Sequence, residues 1–310
     1  SMKFEQIMPS ATTMADATLP TVAMDTEAGT QYNVLHGYTS ELDSTLFYGN
    51  ITPVAKDRKL TVTINTYGED IEGVAYKIRS LEDKSLIENT EVSDYDNAGS
   101  SINVTFNIKN LLDTGKEYAL EVVLKTKKHE TVYYYTRIVY GVDYDLQKKL
   151  DFVMDFNACT FDDSRLKDIA GYLETSSSGD NTNYGKVNIN CSLSQVGWGD
   201  LDPYVESDIM PEVISVDDDV AILRLSYRVG AANDYSSSDT YTVSEYYRIR
   251  QTNSGFYLLN FEREMNQVFD ARNDLTSTAK INLGINSSTD VNCASDEKGI
   301  YTYFVNQGSL

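Results

Sequence analysis

Histidine is almost missing from this chain, with His36 and His129 the only two in 310 residues. Nucleophilic catalysis at neutral pH usually needs an imidazole base beside a Ser or Cys. His129 falls among Lys127, Lys128 and Glu130 in a polar turn, and His36 precedes Gly37 with no nucleophile motif around it. The nucleophile elbow, the phosphate-binding loop and the dinucleotide fingerprint are missing as well. Catalysis by these routes is not expected. Cysteine is scarce: Cys159, Cys191 and Cys293 include no C-x-x-C pair, and with two histidines they fall short of a zinc site. No cofactor is expected. One disulfide plus a free thiol, or three buried thiols, fit the count equally, so it does not select a compartment. Long apolar runs are missing too. No stretch approaches the ~18–20 residues that span a bilayer as a helix, and no signal peptide is visible.

Basic residues are outnumbered, 26 Lys and Arg against 47 Asp and Glu, for a net charge of −21. Such a field repels phosphate backbones and anionic lipid, so nucleic acid is not an expected partner. Solubility and colloidal repulsion account for the acidity. Acid clusters invite two other readings. Asp94-Tyr-Asp-Asn-Ala-Gly99 begins like a calcium loop, but Ala98 occupies the fifth position and Thr105 stands where a closing Glu belongs. Glycosidase chemistry needs two carboxyls set across a cleft. Asp162–Asp163 and Asp217–Asp219 instead suit a helix start and a hairpin tip. The N-x-[ST] sequons at Asn50, Asn103, Asn190 and Asn286 are close to chance in a chain so rich in Asn, Ser and Thr.

Tyrosine is what the chain has in excess, 23 against the single Trp198. With Thr and Val it favours strands. From about Gly49 apolar residues alternate with polar ones, as in Leu60–Thr66, Val74–Ser80 and Ile102–Ile108. A short strand at Ser85–Glu88 fits between them. Tyr118, Leu120, Val122 and Leu124 share one face of a further strand, Lys125–Glu130 is a polar turn, and Val132 to Tyr140 returns. Short strands with turns every ~8–12 residues predict a β-sandwich.

Leu112-Asp-Thr-Gly-Lys-Glu-Tyr118 resembles the Leu-x-Pro-Gly-x-x-Tyr entry to the sixth strand of fibronectin type III modules. Leu112, Gly115 and Tyr118 match, while Thr114 stands where the family usually has Pro, and no Trp occurs between 49 and 141. The resemblance implies a fibronectin type III-like or immunoglobulin-like sandwich over residues 49–141. It also implies that the Tyr118 hydroxyl bonds back to upstream backbone. Modules of this kind serve as spacers or binding platforms.

Residues 1–48 read as an extended lead-in, with short strands at Thr21–Met24 and Gln31–Leu35. After Asp143 the period becomes helical, with Leu146, Leu150, Val153 and Met154 on one face and Asp143 or Asp145 as cap. A second helix is expected over Asp163–Leu173. Strands follow at Lys186–Leu193, Glu212–Val216, Val220–Val229, Tyr241–Arg250 and Gly255–Phe261. Residues 142–295 therefore read as an α+β domain with two helices and an antiparallel sheet, loosely similar to NTF2-like domains. Ile300–Val305 begins a further element over 296–310.

The fold class is thus mainly β with an α+β second domain. Three functions are in competition. The first is a non-catalytic extracytoplasmic scaffold, spacer or protein-binding region of a bacterial cell-surface protein, tethered to a membrane by a segment upstream of Ser1-Met2. The second is a carbohydrate-binding or adhesin module using exposed Tyr and Trp198. The third is an acid-residue hydrolase in the α+β domain. Ligand-binding candidates are Trp198, set between two glycines, and Tyr133 and Tyr135. Plugging a sheet end and ordinary strand packing are the competing explanations for these rings.

Overall fold

Alternating side chains organise the first half of the chain. The computed structural model describes residues 19–141, 144–232 and 239–268, together with the backbone of 293–295 and 302–304. Nine strands precede residue 141: β1 (Thr21–Asp25), β2 (Gln31–His36), β3 (Ile51–Val54), β4 (Lys59–Asn65), β5 (Ile71–Ser80), β6 (Leu86–Val92), β7 (Ser101–Asn107), β8 (Glu117–Thr126) and β9 (Glu130–Tyr140). They build two sheets, in the orders β2-β1-β4-β7 and β3-β9-β8-β5-β6. Pairing is antiparallel except between β3 and β9, which run parallel. In β7 the buried Ile102, Val104 and Phe106 alternate with more exposed neighbours, the period-two pattern of a half-buried strand. Phe106 stacks on Tyr76 of the other sheet with ring centroids 4.7 Å apart.

Residues 21–36 are not a lead-in. β1 pairs with both β2 and β4, so the first sheet begins at Thr21. Residues 1–18 lie outside the described residues. The corner before β8 forms as the sequence predicts: the hydroxyl of buried Tyr118 accepts from the Asp113 N–H at 2.8 Å. Gly115 sits at φ +74°, a left-handed conformation that favours glycine, and its N–H reaches the Tyr140 carbonyl at 2.8 Å.

In the second half α1 (Leu146–Thr160) carries the expected apolar face. Asp145 precedes it in a left-handed conformation and makes no capping bond, because its carboxylate is taken by Lys148 and Gln251. Asp143 lies outside the described residues. The second expected helix is a 3-10 turn over Leu166–Tyr172. Of its apolar stripe only Ile169 is fully buried and Ala170 is exposed, so little packing favours a longer α-helix. The strand expected over 186–193 also shortens. β10 covers Lys186–Asn188, and the chain then turns into α2 (Leu193–Val196), capped by Ser192.

The long sheet of this half has the order β10-β15-β14-β13-β11, and β12 also pairs with β13. Its strands are β11 (Tyr204–Val205), β12 (Met210–Val216), β13 (Val220–Ala231), β14 (Asp239–Thr252) and β15 (Gly255–Gln267). Phe156 of α1 packs against Tyr247 of β14 and Phe261 of β15, which seats the helix on this sheet. Asp217 closes the β12–β13 turn by accepting from the N–H groups of Asp219 and Val220. Among the described residues strand accounts for 49% and helix for 12%, so the class is mainly β with few helices. β16 (Cys293–Ser295) pairs antiparallel with β17 (Thr302–Phe304), and the rest of 296–310 lies outside the described residues.

The two halves share a buried junction. Asn33 of β2, with no exposed surface, donates to the Ile51 carbonyl at 2.9 Å and accepts from the Val213 N–H at 2.7 Å. Gln147 of α1 bonds the hydroxyls of Thr26 and Thr30.

Candidate functional site

Trp198 offers no face to a ligand. It is 1% exposed, its ring lies 3.4 Å from the Arg263 guanidinium, and its Nε1–H donates to Thr160 Oγ1 at 3.3 Å. The loop that carries it folds inward because Arg263 holds two of its carbonyls: Nη1 donates to Val196 O at 2.8 Å and Nη2 to Gln195 O at 3.1 Å. Beyond Arg263 lies fully buried Glu245. Its carboxylate accepts from Tyr227 at 2.9 Å, Tyr247 at 2.6 Å and Asn157 at 2.9 Å. Burial first, and the Glu245 charge next, push both phenols well above their usual range. Every carboxylate oxygen here is already occupied by protein donors, so the cluster is a sealed polar core. Cys159 and Cys191 are buried free thiols. Among the described residues no group of His, Cys, Asp and Glu is placed to hold a metal ion.

A polar cleft of about 560 Å³ opens at one end of the sandwich, lined by Thr66, Glu69, Asp70, Glu72 and Asn97 among others. Asn97 comes from the loop considered above for calcium. Glu69 accepts from the Lys128 N–H at 2.6 Å and lies 3.4 Å from His129 Nδ1, while Asp70 pairs with Lys127 at 3.7 Å. These two acids are matched by their neighbours. Asp162 likewise serves its own turn, where bonds from Ser164 hold its carboxyl below the usual range.

The remaining predicted residues meet on the outer face of the second sheet of the sandwich. Residues 37–48 run across that face as a strap. The strap can approach closely because residue 37 is glycine, where an added Cβ would meet Val132 Cγ1 at 2.4 Å. Tyr38 exchanges backbone bonds with Tyr133 at 2.9 Å, and the Tyr135 hydroxyl accepts from the Leu42 N–H at 2.7 Å. Tyr135 is therefore covered, its ring stacked on Phe47 with centroids 4.4 Å apart, and burial pushes its hydroxyl up to about 12. Tyr133 is half-buried. Neither ring is the open platform that their place in a tyrosine run suggests.

The exposed rings and chains belong to the strap itself: Leu46 is 66% and Tyr48 70% exposed, with Tyr38 and Leu42 also open. Arg137 of β9 is what anchors them. Its Nε donates to Phe47 O at 2.8 Å and its Nη2 to Thr45 O at 3.3 Å, and its guanidinium lies 3.5 Å from the Tyr48 ring centroid. Glu41 meets Lys77 and Asp43 meets Lys84, each at 2.7 Å. The Lys84 bond, with two more from Thr45, holds the Asp43 carboxyl down at about 2. Tyr38, Leu42, Leu46, Tyr48 and Arg137 are not among the candidates expected from the sequence. One signal was available, a charged Arg placed inside the otherwise uncharged, aromatic-rich run Tyr133–Tyr140.

Comparison with known proteins adds little. No family model and no curated protein matches the chain. Among solved structures it is similar to Spo0M, a sporulation control protein from Bacillus subtilis, at 8% identity and a TM-score of 0.22, over 69% of this chain and 86% of that one. A likeness of that strength carries no argument about fold or function.

Proposed function

We propose that the chain is a non-catalytic binding and spacer region of a bacterial cell-surface protein, presenting the strap on a rigid β-sandwich buttressed by the second half. The observation that carries this reading is the combination of exposure and anchoring at the strap. Apolar side chains as open as Leu46 and Tyr48 normally cost solubility, and grouped ones mark interaction sites. Here three hydrogen bonds with Arg137 and Tyr135 fix the backbone and the Arg137 guanidinium holds the Tyr48 ring, so a partner would pay little ordering entropy.

The finer fold reading belongs with this proposal. An immunoglobulin-like or fibronectin type III-like sandwich is supported by the Tyr118–Asp113 corner and by β3 crossing to run parallel with β9. Packing of α1 on a long antiparallel sheet supports an NTF2-like second half. An extracytoplasmic site rests on the acidic, β-rich composition alone. The hydrolase reading has no observation in its favour, since Glu245 is occupied by three protein donors.

Two measurements on source cells test the proposal. Antibody to the chain should label unpermeabilised cells, and labelled chain added to such cells should bind saturably, with loss of binding in the Leu46→Ser/Tyr48→Ser variant. Labelling only after permeabilisation would refute the location. Binding that is indifferent to the double variant would refute the surface.

A further inference from the structure

The chemistry around the strap narrows what it can bind. Tyr48 is 70% exposed although one face of its ring is covered by the Arg137 guanidinium. Its other face is therefore open, flat and held in place. Arg137 cannot swing away without giving up its bonds to the Phe47 and Thr45 carbonyls. Tyr38, 42% exposed, packs edge-on against Phe47 and extends the aromatic surface.

The polar rim has an unusual charge for this molecule. The chain carries −21, yet both acids on the strap are ion-paired: Asp43 with Lys84, and Glu41 with Lys77, which also holds buried Glu121 at 2.8 Å. The Glu41, Asp43 and Lys84 side chains remain 49%, 38% and 59% exposed, so they keep hydrogen-bonding capacity toward solvent. The rim thus offers charged donors and acceptors side by side with little net charge. An anionic ligand would meet Glu41, Asp43, Glu117 and Glu121. A basic peptide would compete with Lys77, Lys84 and Arg137 for acids already paired. A neutral polyol needs both donors and acceptors and brings no charge to be matched.

Building on the binding role proposed above, we infer that the strap binds a neutral carbohydrate. One sugar ring lies with its C–H face on the open face of Tyr48, and its hydroxyls bond the Asp43–Lys84 and Glu41–Lys77 pairs. Arg137 is a positioning residue, since it touches the platform from below. The aromatic ring supplies apolar contact area, and the paired charges supply strong directional hydrogen bonds.

The test is affinity electrophoresis of the whole chain in gels containing xylan, mixed-linkage β-glucan, galactomannan or amylopectin, with polygalacturonate as the anionic comparison. At least one neutral polysaccharide should retard the parent. Tyr48→Ala should weaken that retardation about tenfold, as expected for losing one aromatic contact, while Tyr48→Phe keeps it. Tyr257→Ala, at an open tyrosine in the other half, should leave it unchanged. Lys84→Ala removes an exposed rim donor, and its weaker retardation carries the same test should Tyr48→Ala fail to fold. Retardation by none of the neutral polysaccharides, by polygalacturonate alone, or equally by parent, Tyr48→Ala and Lys84→Ala overturns the inference. Saturable, strap-dependent binding to cells without polysaccharide binding would sink the carbohydrate inference and leave the broader reading standing.

Discussion

Glu245→Gln should be among the most destabilising conservative substitutions in this chain. Glu245 and Arg263 are both fully buried, with Arg263 Nη1 3.9 Å from Glu245 Oε1. Arg263 stays charged at neutral pH even though burial lowers its pKa, because guanidinium starts so high. Its Nε already lacks a hydrogen-bond partner among the described residues, so the nearby carboxylate supplies much of its compensation. Replacing that carboxylate with an amide removes the charge and points an N–H₂ group at a donor. Breaking one side of a buried pair costs ~3–5 kcal/mol, a large share of the ~5–15 kcal/mol that holds a domain together. Urea unfolding followed by Trp198 fluorescence is the natural assay, because the one Trp stacks on Arg263 itself. Glu245→Gln/Arg263→Met should lose less than the two single changes summed, since the stranded charge has gone. A Glu245→Gln midpoint within about 0.5 kcal/mol of the parent, or strict additivity in the double variant, would refute the account of this core.

Other outcomes follow from the same contacts. Tyr118→Phe removes one hydrogen bond at the sandwich corner and should cost ~0.5–1.5 kcal/mol in urea, with no effect on strap binding; stability equal to the parent would remove the corner from the fold argument. Asn33→Ala strands the Val213 N–H in the junction and should cost ~1–3 kcal/mol, seen as a lower melting temperature. Alkali should unfold the protein through its buried phenols. Tyr135 titrates near 12 when folded against an ordinary 10.0, and Tyr76, Tyr134, Tyr227 and Tyr247 are raised in the same direction. The unfolded chain therefore releases protons first, so this stability is whole below pH 10 and is lost as pH rises through 12. The last part of the phenolate absorbance, from the buried rings, should rise cooperatively together with loss of circular dichroism; ionisation of every phenol with the fold intact would count against it.

Period-two alternation made β4, β5, β7, β8 and β9 readable, because one buried face leaves a mark on every second residue. The Tyr118 corner was readable from three residues for the same local reason. α1 announced itself by spacing, but the turn at Leu166–Tyr172 did not announce that it would tighten, since that depends on how little of it is packed. β1 and β2 were seen as short strands yet assigned to a lead-in. β4, the partner that joins β1 to the rest of the sheet, lies more than thirty residues downstream of it, and no local pattern encodes that pairing. Trp198 misled for a related reason. A Trp between glycines looks open, and the residue that pulls it inward, Arg263, is 65 positions away.

The strap is the same problem in its most consequential form. Residues 38–48 have no periodicity to read, because their order comes from bonds to β9 and from Lys77 and Lys84 across a sheet face. Tyr133, Tyr135 and Arg137 alternate on that face, where a strand open to water would place small or solvated polar groups. Three such large groups in register are covered here by the segment whose Phe47 stacks inward on Tyr135 and whose Tyr38 and Tyr48 are left outside. Tyr135 is buried by the event that exposes Tyr48. Tyr133 and Tyr135, the rings that stand out in the sequence, thus form the underside of the proposed surface, and Tyr48 is its top. An Arg at every-other-residue spacing with tyrosines on a predicted central strand is therefore a cue to look for a covering loop upstream. The residues to mutate are in that loop rather than in the strand.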